Sequence, residues 1–256
     1  ILLSYISYQL NSRVLEEQVR QDMLLIVDQT VRGINAEIEE RAREVQTLTL
    51  TPTLREAAAN GTRTTETLGQ QEAAEDAVRK SDKERAGRTQ PAVAEAFLAE
   101  MKEAHPYFAE VFVTDRYGLT VAASNPTTDI RQDDEVWWQE AIVQKFYLGN
   151  LEYDESAAAY SYSIALPILD NPRPPIGVVK AVFNLKAVQE LANFVRPGQR
   201  GYVTVVSRDG RVLSHPNPRH QFRQIGDVPD LIPVASLISS SLRGVNYYSP
   251  AEKSQG

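Results

Sequence analysis

The first part of the chain carries one hydrophobic stripe. Between residues 10 and 50 there is no proline and a single glycine, Gly33. Apolar side chains recur every three or four positions, the spacing that stacks them on one face of a helix: Val27, Val31, Ile34, Ile38, Ala42 and Val45. The pattern predicts one amphipathic helix of roughly forty residues, about 60 Å long. A helix of that length leads away from a membrane or pairs with a second copy.

The opening residues 1–10 are apolar, and the chain starts without Met. Tyr5 and Tyr8 are placed as aromatic residues are placed at a membrane interface. A membrane-spanning helix needs about 18 or more apolar residues in a row, and the chain has no such run. We expect the tail of a membrane-spanning helix here; the alternative is a helix end packed against a partner.

The pattern changes after residue 50. Pro52 ends the long helix, because proline lacks an N–H and disfavours helix in the preceding residue. Residues 60–89 are polar with almost no large apolar side chains, which indicates a mobile or loosely helical insertion. A short helix at 93–104 brings Phe97, Leu98 and Met101 onto one face.

Strand-type alternation dominates the next part of the chain. Two strands flank the tight turn at residues 115–118, and a helix follows at 133–146. Three more strands and a connecting helix are predicted at 150–153, 160–168, 176–184 and 185–195. Five antiparallel strands with a helix inserted after the second make a PAS-like sheet.

A shorter version of this pattern recurs near the end. Residues 201–217 repeat the order of strand, Asp-x-Gly turn and strand, and a helix at 234–242 and a strand at 244–249 follow. The predicted fold class is therefore α+β: a long N-terminal helix and two tandem PAS-like antiparallel-sheet modules of unequal size.

Composition and charge exclude several function classes. The 256 residues carry a formal net charge of −7, which argues against nucleic acid as a partner. The chain has no Cys and only three His, and it lacks the Gly-rich phosphate loop and the common hydrolase signatures. We therefore expect neither catalysis nor a cofactor or metal in this chain.

The central third instead contains aromatic and acidic side chains suited to a pocket for a small, partly polar ligand. Trp137 and Trp138 begin a helix, and a pair of strands rich in Tyr follows. Adjacent helical residues diverge by about 100°, so one Trp should line the pocket and the other should pack in the core; we favour Trp137 for the pocket.

Several segments in this order resemble the double Cache family of bacterial extracytoplasmic sensor domains: VFVTDRYGLTVAAS, DEVWWQEA, IALPILD, IGVVKAVFNL and RDGRVLSHPN. The resemblance covers nearly all of the chain. It implies a helical part at 1–105, a membrane-distal ligand-binding module at 106–190 and a membrane-proximal relay module at 191–256. It also implies flanking membrane helices, a periplasmic or extracellular location, and an output module such as a histidine kinase, a cyclase or a chemotaxis scaffold.

The chain departs from the family at two positions. Amino-acid-binding members resemble one another in an Arg two residues before the Trp pair and an Asp on the last distal strand. Glu135 stands at the first position and Val182 near the second. Both charges that hold an α-amino acid are missing, so we expect no amino-acid binding by that mechanism.

The predicted ligand-binding residues are Trp137, Tyr153, Asp154, Tyr160, Tyr162, Glu135 and Lys180. Each has a structural alternative: Glu135 as a helix cap, Asp154 as a solvated turn, Tyr160 and Tyr162 as an outward face needing a dimer partner. Lys180 either guards a strand edge, holds an anionic ligand group or pairs with Glu135. His215 is expected to hold a turn.

The preferred ligand is a small organic amine, which aromatic rings beside carboxylates would hold, and a carboxylate held by Lys180 is the second choice. The predicted function is a sensor domain that relays ligand binding to an output module and forms a homodimer in the full-length receptor. The alternative is a structural or dimerisation module with a vestigial pocket.

Overall fold

The computed structural model describes residues 2–85, 92–125, 129–154, 159–170, 173–198, 201–207 and 209–235, with the backbone alone at 2–11, 81–85, 152–154, 159 and 173. The predicted strand at 244–249 and most of the helix at 234–242 lie outside these residues. Contacts divide the chain into two compact units, one of Ile38–Lys186 and one of Ile1–Glu37 with Ala187–Gly256.

The long N-terminal helix is confirmed: α1 runs over Leu2–Leu50, 49 residues. It ends where predicted, because Pro52 opens the next helix, α2, at a position that needs no N–H donor. Its last part, from Ile38, belongs to the unit that contains the large sheet. Hydropathy falls short of that of a membrane-spanning segment in every helix of the described ranges.

The described part of residues 60–89, predicted to be a mobile or loosely helical insertion, is helical, but α2 packs tightly rather than loosely. α2 covers Pro52–Leu68 and α3 covers Gln70–Arg85, and α2 buries Ala58, Thr62 and Thr65. Small side chains bring its backbone close to the sheet, since a Cβ at Gly61 would lie 2.3 Å from a methyl group of Val121. The packing of α2 was not predicted because its contact face is built from small and hydroxyl side chains rather than large apolar ones.

Helix α4, Val93–Ala104, has the predicted bounds, and a six-stranded antiparallel sheet follows it. Its strands are β1 Phe108–Asp115, β2 Thr120–Ala123, β3 Tyr147–Leu148, β4 Glu152–Asp154, β5 Ala159–Asp170 and β6 Arg173–Asn184. Their order is β2-β1-β6-β5-β3, with β4 also paired to β5. Helix α5, Val136–Gln144, is inserted after β2, and α6, Lys186–Phe194, leaves the sheet. The PAS-like arrangement is confirmed, with the short β3 as an addition.

The strand register assigns residues to the two faces of this sheet, because directly paired residues in antiparallel strands share a face. Phe112, Lys180 and Ala165 form one row across β1, β6 and β5. Phe183 and Tyr162 pair in a row three residues further along β6, on the opposite face. We call these the α5 face and the helix-covered face, because α5 packs on the first and α2 and α4 pack on the second.

The turn at residues 115–118 is held by its first residue. The Asp115 carboxylate accepts hydrogen bonds from the amides of Tyr117 and Leu119 at 2.8 and 2.9 Å, and from the Thr65 hydroxyl of α2 at 2.6 Å. Gly118 has a φ of +83°, a conformation that costs glycine little. The hairpin predicted from the Asp-x-x-Gly pattern is confirmed.

The second unit contains a smaller sheet of β7, Val205–Val206, and β8, Val212–Ser214. Two short 3₁₀ helices follow, η1 at Pro218–His220 and η2 at Ile225–Asp227. An apolar cluster of Val212, Ile225, Val228 and Leu231 lies beneath them. Gly210 has a φ of +83°, as Gly118 does. The predicted repeat of strand, turn and strand is therefore present here, although Asp209 directly precedes the glycine rather than standing two residues before it.

Candidate ligand-binding site

Helix α5 sets the position of the two adjacent Trp residues. Its N-cap is Glu135, whose carbonyl accepts hydrogen bonds from the amides of Trp138 and Gln139. Trp137 is 5% exposed and packs on the sheet beside Phe112 and Ala165. Trp138 is partly buried, and its indole N–H donates to the Thr114 hydroxyl at 3.1 Å. Both rings therefore contact the α5 face.

Lys180 brings a charge into this aromatic corner. Its Nζ lies 4.4 Å from the centroid of the Trp137 ring and 5.6 Å from that of Phe112. The two rings meet edge to face, with centroids 5.6 Å apart. An ammonium over ring faces gains electrostatic attraction, and burial strengthens that attraction. The structure thus joins two of the predicted site residues, Trp137 and Lys180, in one contact.

Polar backbone and hydroxyl groups lie on the same face of the sheet, on the side toward β3. Ala165 and Tyr147 are paired residues, and Ser163 follows on the α5 face next to Val182. The Gly149 amide donates to the Ser163 carbonyl at 2.7 Å. A Cβ at Gly149 would lie 2.5 Å from the Ser163 hydroxyl oxygen, so only glycine leaves this close approach open. The sequence reasoning missed Phe112 and Ser163, because strand alternation does not reveal which residues of the neighbouring strands share a face with Lys180.

The predicted aromatic wall of Tyr side chains requires a correction. Tyr162 is 8% exposed and stacks on Phe183, with ring centroids 5.4 Å apart. Phe183 in turn packs on Phe108 at 4.9 Å. Tyr160 is two residues from Tyr162 on β5 and has the same strand parity. The structure therefore does not bring Tyr160 and Tyr162 together with Trp137, because they belong to the helix-covered face.

Two further predicted residues lie on β4, where only the backbone is described. Tyr153 pairs with Tyr160, and Asp154 pairs with Ala159. Asp154 therefore pairs with a β5 residue that has the same strand parity as Ser163 and Ala165. Tyr153 pairs with a residue of the opposite parity, Tyr160. Their contact with a ligand stays a prediction.

Glu135 is exposed at the N-terminus of α5, and its side chain makes no capping hydrogen bond. The neighbouring acid Asp133 binds Arg131 at 2.7 and 3.1 Å. This hydrogen bond lowers the pKa of Asp133 and raises that of Arg131. Asp134 and Glu135 are thus the acids in this segment that remain exposed at the end of the helix.

A cavity of about 770 Å³ lies elsewhere in this unit, between α2, α3, α4 and the edge strand β2. Of the predicted residues whose side chains are described, none lines it. Its buried carboxylate, Asp115, is already occupied by the turn and by Thr65. Glu95 accepts the Ala92 amide at 2.6 Å and faces Lys80 at 3.8 Å. These acids hold the helices and the turn, so we place the candidate site at the α5 face.

Comparison with known proteins agrees with this architecture. The family model for the Cache domain matches residues 11–255. The sensor domain of the Vibrio cholerae histidine kinase DctB is similar, with a TM-score of 0.52 at 14% identity, over 87% of this chain and 76% of that one. This similarity shows the fold alone.

Two chemoreceptor domains are more distant in structure. The ligand-binding domain of Pseudomonas fluorescens CtaA, solved with L-serine, has a TM-score of 0.46 at 18% identity, over 77% of this chain and 72% of that one. The domain of Pseudomonas aeruginosa PctC, solved with GABA, has a TM-score of 0.40 at 19% identity, over 74% and 80%. No curated protein sequence matches the chain. The family match, which covers most of the residues, shows that this chain belongs to the Cache domain family, whose members are non-catalytic extracytoplasmic sensor domains of membrane receptors.

Proposed function

We propose that this sensor domain binds a small organic carboxylate at the α5 face of its large sheet, with Lys180 as the anion-binding group. The observation that carries the proposal is the position of the Lys180 ammonium, 4.4 Å from the Trp137 ring centroid. The ligand carboxylate would accept a charge-assisted hydrogen bond from Nζ, and its carbon skeleton would pack on Trp137. Such bonds contribute about 1.5–3 kcal/mol.

The same contact argues against the amine that the sequence favoured. An amine would need the space over the aromatic rings, and the Lys180 ammonium already occupies it. Two like charges in a partly desolvated corner repel each other strongly. The second choice from the sequence, a carboxylate, therefore fits this corner better.

The polar groups nearby suit a ligand with one further hydrogen-bonding group. Ser163 lies on the α5 face of β5, two residues from Ala165, which pairs with Lys180. Asp154, whose backbone belongs to the row that leads to Ser163, is proposed as a rim residue that accepts a hydrogen bond. Glu135, exposed at the start of α5, would repel a second carboxylate at that end.

A second candidate function has support from the same geometry. Lys180 occupies the aromatic corner much as a bound cation would, so the pocket could be permanently filled by its own side chain. The domain would then serve for structure or dimerisation. The two functions differ in one observable property: only the first predicts that an added anion raises stability by mass action.

The test is a thermal-shift screen with pairs of compounds that share a carbon skeleton. Acetate, propionate, butyrate and succinate are compared with ethylamine, propylamine, butylamine and tetramethylammonium at constant ionic strength. We expect at least one carboxylate to raise the melting temperature while its matched amine does not. A response to amines alone contradicts the carboxylate assignment, and no response to either series supports the filled-pocket alternative.

Amino acids form a separate arm of this screen. With Glu135 and Val182 at the two positions where related sensors hold the amino-acid charges, a zwitterion would lose two charge-assisted contacts. We expect the standard L-amino acids to give no shift at 1 mM (about the weak-binding limit). Micromolar binding of any of them by calorimetry would contradict this expectation.

We further propose that the first half of α1 pairs with a second copy in the full-length receptor, and that ligand binding is relayed through the second unit. Apolar side chains on this half are exposed: Val14 66%, Leu15 62%, Leu25 53% and Val31 49%. Of these, Val14 and Leu25 lie within about 20° of each other around the helix, and exposed apolar side chains on one helix face mark a pairing surface. Two tethered chains also meet at high effective concentration.

Cysteine cross-linking in the full-length receptor tests the pairing. Val14→Cys should cross-link efficiently in membranes, whereas Glu16→Cys, about 200° further around the helix, should not. Equal cross-linking at the two positions, or none at Val14, would contradict the proposed interface.

A further inference from the structure

The second unit contains a compact group of titratable side chains that the ligand site does not use. His215 Nε2 lies 3.0 Å from one carboxylate oxygen of Asp230, and the Tyr202 hydroxyl donates to the same oxygen. His220 Nδ1 faces the other oxygen, Oδ1, at 3.6 Å. Both of these last two atoms are buried, and neither has a hydrogen-bond partner in the described residues.

Asn217 determines which nitrogen of each ring carries the proton. Its backbone amide donates to His215 Nδ1 at 3.0 Å, so the His215 proton is on Nε2 and points at Asp230. Its side-chain amide nitrogen lies 3.5 Å from His220 Nε2, and its side-chain oxygen accepts the Arg219 amide at 3.1 Å. The Arg219 contact fixes the orientation of the amide, so a neutral His220 carries its proton on Nδ1.

This pattern disfavours a metal ion, although one ligand atom from each of His215, His220 and Asp230 falls within 4.8 Å of the others. A histidine binds metal through an unprotonated nitrogen. Here the nitrogen of each ring that faces Asp230 carries hydrogen, because Asn217 donates to the other one.

We propose that His220 is a proton-sensing residue whose protonation rotates the Asn217 side chain and uncaps the 3₁₀ helix η1. The proton comes from solvent and binds His220 Nε2, the ring nitrogen that carries no hydrogen when Nδ1 is protonated. His220 then donates from both nitrogens: Nδ1–H to Asp230 and Nε2–H toward Asn217. Two N–H groups cannot face each other, so the Asn217 amide turns its oxygen to His220 and releases the Arg219 amide.

Asp230 supplies the countercharge for this step. Burial raises its pKa, but hydrogen bonds from Tyr202 and His215 outweigh burial and lower it below the usual value. Asp230 is therefore a carboxylate at neutral pH.

The cluster takes up one proton rather than two. The His215 and His220 ring centroids are 4.7 Å apart, so two imidazolium rings would repel each other. His215 is 4% exposed and keeps its backbone contact to Asn217, whereas His220 is more accessible. Among the described residues, the titratable side chains packed against His220 are Asp230 and His215. Tyr202 lies behind Asp230, and Arg219 lies on the same turn.

The experiment is an NMR titration of the ¹⁵N-labelled chain from pH 8 to pH 5.5. At pH 8, long-range ¹H–¹⁵N spectra should show His215 protonated on Nε2 and His220 on Nδ1. On acidification, the Arg219 amide and the Asn217 side-chain amide should shift with the same midpoint as His220. A His220 ring protonated on Nε2 at pH 8, or an Arg219 amide that does not follow His220, would overturn the proposal.

Two variants and one control sharpen the assignment. His220→Gln should abolish the pH-dependent shifts of Arg219 and Asn217, whereas His105→Gln, at the remaining histidine of the chain, should leave them unchanged. Asn217→Asp removes the donor and adds a negative charge, so the His220 midpoint should rise by about 1 pH unit or more. Persistent shifts in His220→Gln, or an unchanged midpoint in Asn217→Asp, would count against the proton sensor.

Discussion

The two faces of the large sheet differ in how they use polar side chains. On the helix-covered face, hydroxyls and carboxylates bind other parts of the protein: Thr62 donates to the Ile176 carbonyl at 3.2 Å, and Thr65 donates to Asp115. On the α5 face, the Lys180 ammonium lies over aromatic rings. The first arrangement holds helices on a sheet. The second keeps a charge beside an apolar wall, which is the arrangement a small charged ligand needs.

The largest expected effect lies on the helix-covered face. Phe183 is 1% exposed and contacts Phe108 and Tyr162. Phe183→Ala should lower the free energy of unfolding by about 3–5 kcal/mol, because it leaves a large cavity. Urea denaturation measures this loss. Phe183→Leu, which preserves more volume, should retain carboxylate binding within twofold (about 0.4 kcal/mol). A selective loss of binding in this variant would mean that the two faces are not separate in function.

Asp115 gives the next largest effect. Asp115→Ala removes the acceptor of three hydrogen bonds and should cost about 2–3 kcal/mol of unfolding free energy. Asp115→Asn keeps an acceptor for the two turn amides and should cost less than about 1 kcal/mol. Equal losses in the two variants would show that the charge, rather than the hydrogen bonds, holds the turn.

The difference in stability between the wild type and Asp115→Asn should depend on pH in a defined direction. Burial raises the pKa of Asp115, although its hydrogen bonds to Thr65, Leu119 and Tyr117 oppose the shift. The folded state therefore binds the proton more readily than the unfolded state does. The stability of the wild type relative to Asp115→Asn should rise as the pH falls through the raised value toward about 4. A relative stability that falls over this interval would contradict the direction.

On the α5 face, the expected effect on stability is small. Lys180→Met keeps the length and apolar character of the side chain and removes the charge over the two rings. The lost cation–π attraction and the gained apolar burial nearly cancel, so the unfolding free energy should change by less than about 1 kcal/mol. A loss of 3 kcal/mol or more (about the cost of breaking a buried ionic contact) would assign Lys180 a structural role.

The sequence predicted the elements of the fold better than the faces of the strands. Apolar spacing, proline and turns that contain Asp and Gly predicted the long helix, α4, the two hairpins and the order of the elements. The pairing partners of β5 do not, because periodicity of two defines alternating faces without saying which one meets α5. Tyr160 and Tyr162 were therefore assigned to the ligand, whereas Tyr162 stacks on Phe183.

Small side chains were a second reason why the sequence did not predict the packing. α2 packs through Ala58, Gly61, Thr62 and Thr65, and none of these types signals burial by hydrophobicity. The contact between Lys180 and Trp137 could be anticipated only as one of several alternatives, since it depends on how α5 lies across the sheet. The residue types of the site were predictable, but their grouping required the register.

The central claim is that Lys180 holds a ligand carboxylate at the α5 face, and isothermal titration calorimetry tests it most directly. The tightest carboxylate from the matched screen is titrated into the wild type, Lys180→Met and Tyr162→Phe. Lys180→Met should bind at least tenfold more weakly, about 1.4 kcal/mol, while Tyr162→Phe binds as the wild type does. Binding to Lys180→Met within twofold of the wild type would contradict the claim.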